Sequence, residues 1–367
     1  MNLRLSLQAS QRLLKGAPFI GAQDQLSFRI IPPAGTILRA QTSEGDFLAH
    51  VVSEGPQQAL AFRVLSRERR PDMTPQWWAG QVEQALGLRR AKEAAIGEGP
   101  RRLIQAEADG LPGLTCDLWA PGVATLTVES PGALPTLDFV EEALIEQAKL
   151  KSLWRRLPLP GVPGALTPWH RSPLTPKAVS KLNVHEGRAR LDIDIEAGIL
   201  PRMEQRHWRQ WLTQQAQGRA VLCWGDCDWE AEAANSAGAT KVERVKADGF
   251  RRLEALAEKR ERFVALLAVL PVEAKYPWGR FVFNKQGPRI FSLLAALAEP
   301  GAGLLLAGLP VVGQPQPGLD LATGGLTWVP LATPPDLPPL GPGLSGTPPA
   351  WTARLDQVNT VLKVLQP

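Results

Sequence analysis

Cysteine is scarce in this chain: Cys116, Cys223 and Cys227 are the only three among 367 residues. So odd and sparse a set is not a disulfide framework. Cys223 and Cys227 lack CxxC spacing and have no histidine nearby in the sequence, so no metal site is expected. Long apolar runs are missing as well. The longest, Phe263 to Pro271, falls far short of the ~20 residues that a membrane-spanning helix needs. The start, Met1-Asn2-Leu3-Arg4, has no apolar core of signal-peptide type. The expectation is a cytoplasmic protein with no membrane partner. Nor is there a large charge of either sign: 41 Lys and Arg against 36 Asp and Glu leave +5. That balance is compatible with nucleic acid without pointing to it.

What is present is the composition of a globular protein, 44% hydrophobic and 21% charged, long enough for two or three domains. Residues 1 to 68 read as small β structure. Alternating runs at Leu26 to Ile30 and Phe47 to Val52 are separated by Pro-Pro-Ala-Gly and Ser-Glu-Gly-Asp turns. Gln11 to Gly16 is a basic helical turn ending in glycine, and Arg67, Arg69 and Arg70 close the segment. These cations form either a solvated face or an RNA-backbone contact. From 69 to 185 the pattern is mixed: a helix from Thr74, strand-turn-strand over Arg102 to Asp117, a strand at Val123 to Val128, and a helix over Asp138 to Leu150. Leu157 to Pro168 is too rich in proline for regular structure.

From 186 the chain re-enters a strand, then alternates helices with short apolar strands at 219–223, 242–245, 263–270 and 303–307. That alternation predicts a parallel, doubly wound sheet. The stretch VLCWGDCDWE, Val221 to Glu230, runs from the first of these strands directly into a helix. Such a turn makes a crevice at the strand's carboxyl end, with helix N–H groups pointing into it. Nucleotide-type crevices are glycine-rich because backbone must approach the ligand. Here only Gly225 is glycine, and Asp226, Asp228 and Glu230 stand among bulky neighbours. Asp226 or Asp228 capping the helix is the ordinary explanation of those acids.

At EADGLPGLTCD, Glu107 to Asp117, the chain resembles the E-x-D-x-L-P-G-L-x-x-D signature of the PUA-domain methyltransferases that modify carbon 5 of cytosine in large-subunit ribosomal RNA. Flanking stretches agree. Gln11 to Gly16 resembles the family's N-terminal R-L-L turn, Phe62-Arg63-Val64 the end of its PUA barrel, and Glu204-Gln205-Arg206-His207-Trp208-Arg209 its L-D-Q-R-x-x-R run. The resemblance implies a multi-domain α/β protein: an N-terminal PUA-like β-barrel over 1–68, a small α+β middle domain over 69–185, and a C-terminal Rossmann-like class I methyltransferase domain over 186–367. It also implies S-adenosylmethionine (SAM) as cofactor, with a cysteine thiolate that attacks carbon 6 of the base before the methyl reaches carbon 5.

The residues that this chemistry requires are missing. Trp224 and Trp229 stand in the cofactor turn, where an indole would fill the pocket. Lys246 ends the second strand where an acid would accept the ribose hydroxyls, and Asp248 follows two residues later. The family's D-P-P-x-F run is replaced by Val269 to Lys275, and its Gly-Gln-Lys-Thr-Gly run by Ile199 to Arg202. No cysteine follows Cys227, and serine or threonine is a far weaker nucleophile. The expectation is therefore a non-catalytic member that binds structured, ribosomal RNA. Arg12, Lys15, Arg29, Arg67 and Arg206 are its RNA-binding candidates. Gly225, Asp226 and Asp248 are the remnant of its cofactor site, and no cofactor and no catalytic residue are expected. The alternative is an active SAM-dependent rRNA methyltransferase with a diverged site. Twelve tryptophans leave room for a contact surface, in a homodimer or in a pairing with an active paralogue.

Overall fold

The structure is a computed structural model that describes residues 1–56, 58, 60–92, 99–269, 273–276, 279–307, 329–330 and 350–354. It divides into two compact units. The first holds Met1–Val184 and Asp192–Met203; the second holds His185–Leu191 and the described residues from Glu204 onward.

The first unit contains two five-stranded sheets. Strands β1 (Asn2–Arg4), β2 (Phe19–Gly21), β3 (Ile37–Gln41), β4 (Phe47–Ser53) and β5 (Leu60–Ser66) make one, ordered β1-β3-β4-β5-β2. Helix α1 (Leu7–Leu14) starts where the Ser6 hydroxyl accepts from the Ala9 N–H at 3.2 Å, and it buries Ala9 and Leu13. The alternating run Leu26 to Ile30 is not a strand. The Gln25 amide oxygen accepts from the Ser27 and Phe28 N–H groups at 2.8 and 2.7 Å, and its nitrogen donates to the Phe28 carbonyl. A side chain thus takes the backbone groups that a ladder would have used, and Leu26 and Ile30 are left exposed.

The second sheet of this unit, ordered β10-β9-β8-β7-β6, is built from β6 (Arg101–Gln105), β7 (Leu114–Ala120), β8 (Val123–Val128), β9 (Ser152–Arg156) and β10 (His170–Arg171). Helix α2 (Pro75–Ala91) begins with Thr74 as N-cap and Pro75 in its first turn. It buries Trp78, Val82, Ala85, Leu86 and Arg89, a single helical face, against the same core that receives Val140 and Leu144 of α3 (Leu137–Gln147).

The Glu107 to Asp117 motif joins these pieces. Glu107 pairs with Arg63 of β5 and accepts from the Gly113 N–H at 3.1 Å. Asp109 takes Arg89 of α2 at 2.5 Å and the Gln105 N–H at 2.6 Å, while Asp117 takes Arg102 at 2.5 Å. Gly113 has φ +71°, and a Cβ there would lie 2.2 Å from the Ser130 Cβ, so only glycine fits. The three acids are therefore committed to holding the fold. Arg63 also meets Glu54 at 3.2 Å, which leaves one guanidinium between two carboxylates that are almost fully buried.

In the second unit, β13 (Ala220–Gly225), β14 (Lys241–Val245), β15 (Phe263–Val269) and β18 (Ala298–Ala307) are mutually parallel, in the order β14-β13-β15-β18. Strands β20 (Ala350–Arg354) and β19 (Val329–Pro330) continue the sheet antiparallel. The backbone of β16 (Glu273–Tyr276) and β17 (Gly279–Val282) forms a separate hairpin. Residues Val221, Cys223, Ala265 and Leu267 pack on one face with α4 (Arg206–Ala216) and α5 (Asp228–Ser236). Leu222, Trp224, Leu266 and Ala268 pack on the other with α6 (Phe250–Glu258) and α7 (Phe283–Leu297). Because both faces are covered, the central strands read as continuous apolar runs. No helix among the described residues is long and apolar enough to cross a membrane.

Replacing Arg63 with Met should cost on the order of 3 kcal/mol, because it strands Glu54 and Glu107 without a counter-ion. Urea denaturation at pH 7.5 checks this. Part of the loss should be recovered at pH 5, where the stranded carboxyls take up protons, and a variant as stable as the parent would refute the network's role.

Candidate functional site

The chain order of the parallel strands reverses between β13 and β15: β14 is laid down on one side of β13, and β15 returns to the other. In open α/β sheets, ligands settle outside the carboxyl ends of the strands at that switch point. The turn Gly225 to Asp228 lies there, with the end of β14 beside it.

Gly225 has φ +108°, and a Cβ built on it would fall 1.9 Å from the Val269 carbonyl oxygen of β15. Its missing side chain is therefore demanded by the adjacent strand. Trp224 does not stand in the crevice. Strand alternation turns it to the α6 and α7 face, where it is fully buried, meets Phe250 edge-on at 5.2 Å, and donates from Nε1 to the Lys246 carbonyl at 3.0 Å. Trp229 is half-buried on the first turn of α5. The capping reading also needs correction. Cys227 is the N-cap of α5 and no side chain caps that end, while Asp226 and Asp228 are exposed. Asp248 is exposed on the tight turn after β14, where the Gly249 N–H reaches the Lys246 carbonyl at 2.8 Å.

Behind the turn lies a buried ionic triad. Arg209 of α4 has no exposed surface; it grips Glu186 with two hydrogen bonds of 2.7 and 2.8 Å and reaches Glu230 of α5 at 3.4 Å. Burial pushes the Glu230 carboxyl up to about 7 against the pull of Arg209. Beside it, burial and the charges of Arg209 and Arg206 push His207 down to about 4. Trp208 Nε1 is buried without a hydrogen-bond partner among the described residues, in the cluster that includes Cys227 and Val269. Sequence reasoning passed over this triad. Arg209 stands in the stretch that carried the resemblance, but Glu186 and Arg209 lie in elements rich in polar residues, so neither stood out in the sequence.

All three thiols are buried. Burial raises Cys116 far above its ordinary value, and Cys227 is raised by the hydrogen bond that its thiol, as donor, shares with Cys223, together with burial. Neither is a ready thiolate.

The RNA candidates are scattered. Arg12 and Lys15 are exposed at the end of α1, Arg12 facing Asp24 at 2.6 Å. Arg67 joins them there, its guanidinium donating to the Leu13 and Ala17 carbonyls at 2.8 and 3.2 Å. Arg29 is exposed on the Gln25-ordered turn. Arg206, in the second unit, is buried at 2% exposure. Of the run Val269 to Lys275 that replaces D-P-P-x-F, Val269 ends β15 and is buried, and the side chains from Leu270 to Lys275 lie outside the described residues.

No protein-family model matches the chain. It is 30% identical over 112 residues to ribosomal RNA large subunit methyltransferase I of Aliivibrio fischeri strain MJ11, and equally so to that of strain ATCC 700601 / ES114. Each match covers 30% of this chain and 28% of the relative's length. Among solved structures, the fold matches SMU.776, a candidate methyltransferase complexed with SAH, with TM-score 0.75 and 12% identity over 96% of this chain and 100% of that one. A candidate SAM-dependent methyltransferase from Streptococcus mutans matches with TM-score 0.74 and 10% identity over the same shares. The expectation that no cofactor binds is overturned by these neighbours: they are methyltransferases of the SAM-dependent kind, one of them carrying SAH, and they point to SAM use. The chain is related to ribosomal RNA large-subunit methyltransferases and has the mixed α/β fold of SAM-dependent methyltransferases.

The triad predicts an unusual pH response. From pH 4.5 to 6.5, the ordinary values of Glu and His, the folded chain holds Glu230 protonated and His207 neutral, and the unfolded chain does the reverse. The depressed His207 adds stability as pH rises, while the raised Glu230 removes it at the same rate, about 1.4 kcal/mol per pH unit. Glu230→Gln should therefore leave a stability that rises with pH across this window, and His207→Gln one that falls. Urea midpoints at three pH values check both, and parallel profiles in the two variants would contradict the assignment.

Proposed function

We propose that this chain is an RNA-binding protein, directed to ribosomal RNA, that carries SAM in a class I methyltransferase-type domain but does not methylate cytosine carbon 5. The observation that carries the second half is the thiol inventory: no cysteine follows Cys227, and the three present are buried. A C5 methylation route needs a thiolate to make carbon 5 nucleophilic. The layout we assign is a PUA-like domain over 1–68, a middle domain over 69–185 and a Rossmann-like domain over 186–367.

The crevice residues fit the cofactor in charge and chemistry. SAM, when bound, supplies a methyl group on a positively charged sulfur. Asp226 and Asp228 give the carboxyl edge of β13 a negative charge that suits this cation and its ammonium group. Asp248 offers the acceptor that ribose hydroxyls require and that Lys246 cannot provide. Gly225 fixes the backbone at the turn, and the uncapped start of α5 leaves N–H donors for a carboxylate. Arg12, Lys15 and Arg29 supply phosphate contacts on the first unit; Arg67 braces the α1 carbonyls between them.

A second reading, direct methyl transfer to a nitrogen or oxygen with no cysteine, is favoured by the retention of the whole fold across 96% of the chain.

Isothermal titration with SAM and SAH tests the site. Binding is expected, with Asp248→Ala weakening it at least tenfold, and absence of heat from either ligand would sink the cofactor assignment. Incubation with labelled SAM and large-subunit rRNA, followed by nucleoside mass spectrometry, tests the chemistry. The expected result is no 5-methylcytidine. Another methylated nucleoside would establish the second reading.

A further inference from the structure

Away from the crevice, the first unit holds a cavity of about 260 Å³ between the ends of α2 and α3 and the strands β6 and β7. Its walls are Leu86, Leu103 and Leu118; around them stand Arg89, Arg90, Arg101 and Lys149, with Gln147. Among the described residues, no carboxylate lines it. Arg89 is buried and held by Asp109, so its charge is largely answered. Arg90 is exposed and meets Glu83 at 3.3 Å, both side chains more than half exposed, a pairing that water weakens. Lys149 is exposed and makes no ion pair among the described residues. Cations at the last turn of a helix answer its dipole, and that accounts for Arg89 and Arg90. Lys149 follows the end of α3 in the left-handed position of a helix C-cap, φ +53°, with the Lys149 and Leu150 N–H groups on the Glu146 and Ile145 carbonyls, which sets it on the cavity rim.

We propose that this cavity is a binding site for a single unpaired nucleotide of RNA, distinct from the cofactor crevice. The volume lies just below the ~300–1,000 Å³ of sites for drug-sized ligands, which suits one base with its phosphate. The phosphate is met by Arg90, Arg101 and Lys149. The base lies against Leu86, Leu103 and Leu118. Sequence-specific recognition of RNA works largely on such unpaired bases. The inference rests on the RNA-binding reading above and adds where on the middle segment a loop nucleotide would be held.

The test uses the full chain and a fluorescent single-stranded heptaribonucleotide of mixed sequence, with 5′-nucleoside monophosphates and inorganic phosphate as competitors. The double variant Arg90→Ala/Lys149→Ala should bind the oligonucleotide at least fivefold more weakly, with a salt dependence flatter by one to two counterions. Monophosphates should compete better than phosphate alone. Arg12→Ala is the control: it should weaken a structured rRNA fragment and leave monophosphate binding unchanged. A 4-thiouridine oligonucleotide should crosslink to peptides containing Leu86 to Arg90 or Arg101 to Leu103. Parental affinity in a double variant that retains its circular dichroism, or crosslinks confined to other peptides, would overturn the site. If the structured fragment fails to bind while monophosphates still occupy the cavity, the site stands and the rRNA reading falls.

Discussion

A guanidinium with no exposed surface organises the second unit. Arg209 holds Glu186 and Glu230 at once, so the start of α4, the β11 (Lys181–Glu186) to β12 (Ala189–Asp194) turn and the first turn of α5 are fixed to a common point. The position of α5 in turn fixes the turn after Gly225, and Gly225 must lie flat against the end of β15. The crevice geometry therefore follows from one buried charge cluster and one close backbone approach. Burying three ionisable groups is costly unless each is paired, and here two carboxylates share a single cation. The proton that Glu230 keeps at mildly acidic pH lowers that cost.

This arrangement changes what the unusual residues of the turn mean. Read as side chains, Trp224 and the acids suggest a pocket that has been filled. In the folded chain the indole belongs to the core beneath the sheet, and the acids face outward. What the fold does not supply is a thiolate. Cys223 of β13 and Cys227 of the turn are packed in one core, and Cys116 lies in the core of the other unit. Loss of cofactor binding and loss of the nucleophile are separate matters, and only the second follows from the residues.

Much of the fold was legible because burial imposes a period. The strands of the parallel sheet announced themselves as short apolar runs, and α2 as a helix from Thr74 with proline in its first turn. The run Leu26 to Ile30 alternated correctly and still failed as a strand, because one glutamine side chain satisfied its backbone. Periodicity does not register such a local competition. The motif Glu107 to Asp117 was recognised, but its work was not: its acids bind Arg63, Arg89 and Arg102, partners up to 44 residues away in sequence. The direction in which Trp224 points was likewise a matter of strand parity, which the sequence leaves open until the register is known.

The central claim, a methyltransferase-type body with no cysteine to attack the base, is most directly tested by trapping. In RNA carrying 5-fluorocytosine, an enzyme that uses a thiolate adds to carbon 6 and transfers the methyl group, and then cannot release the adduct because fluorine does not leave as a cation. Incubating the chain with SAM and such an rRNA fragment should give no covalent protein–RNA species on a denaturing gel. A stable, SAM-dependent adduct mapped to one of the three cysteines would contradict the account.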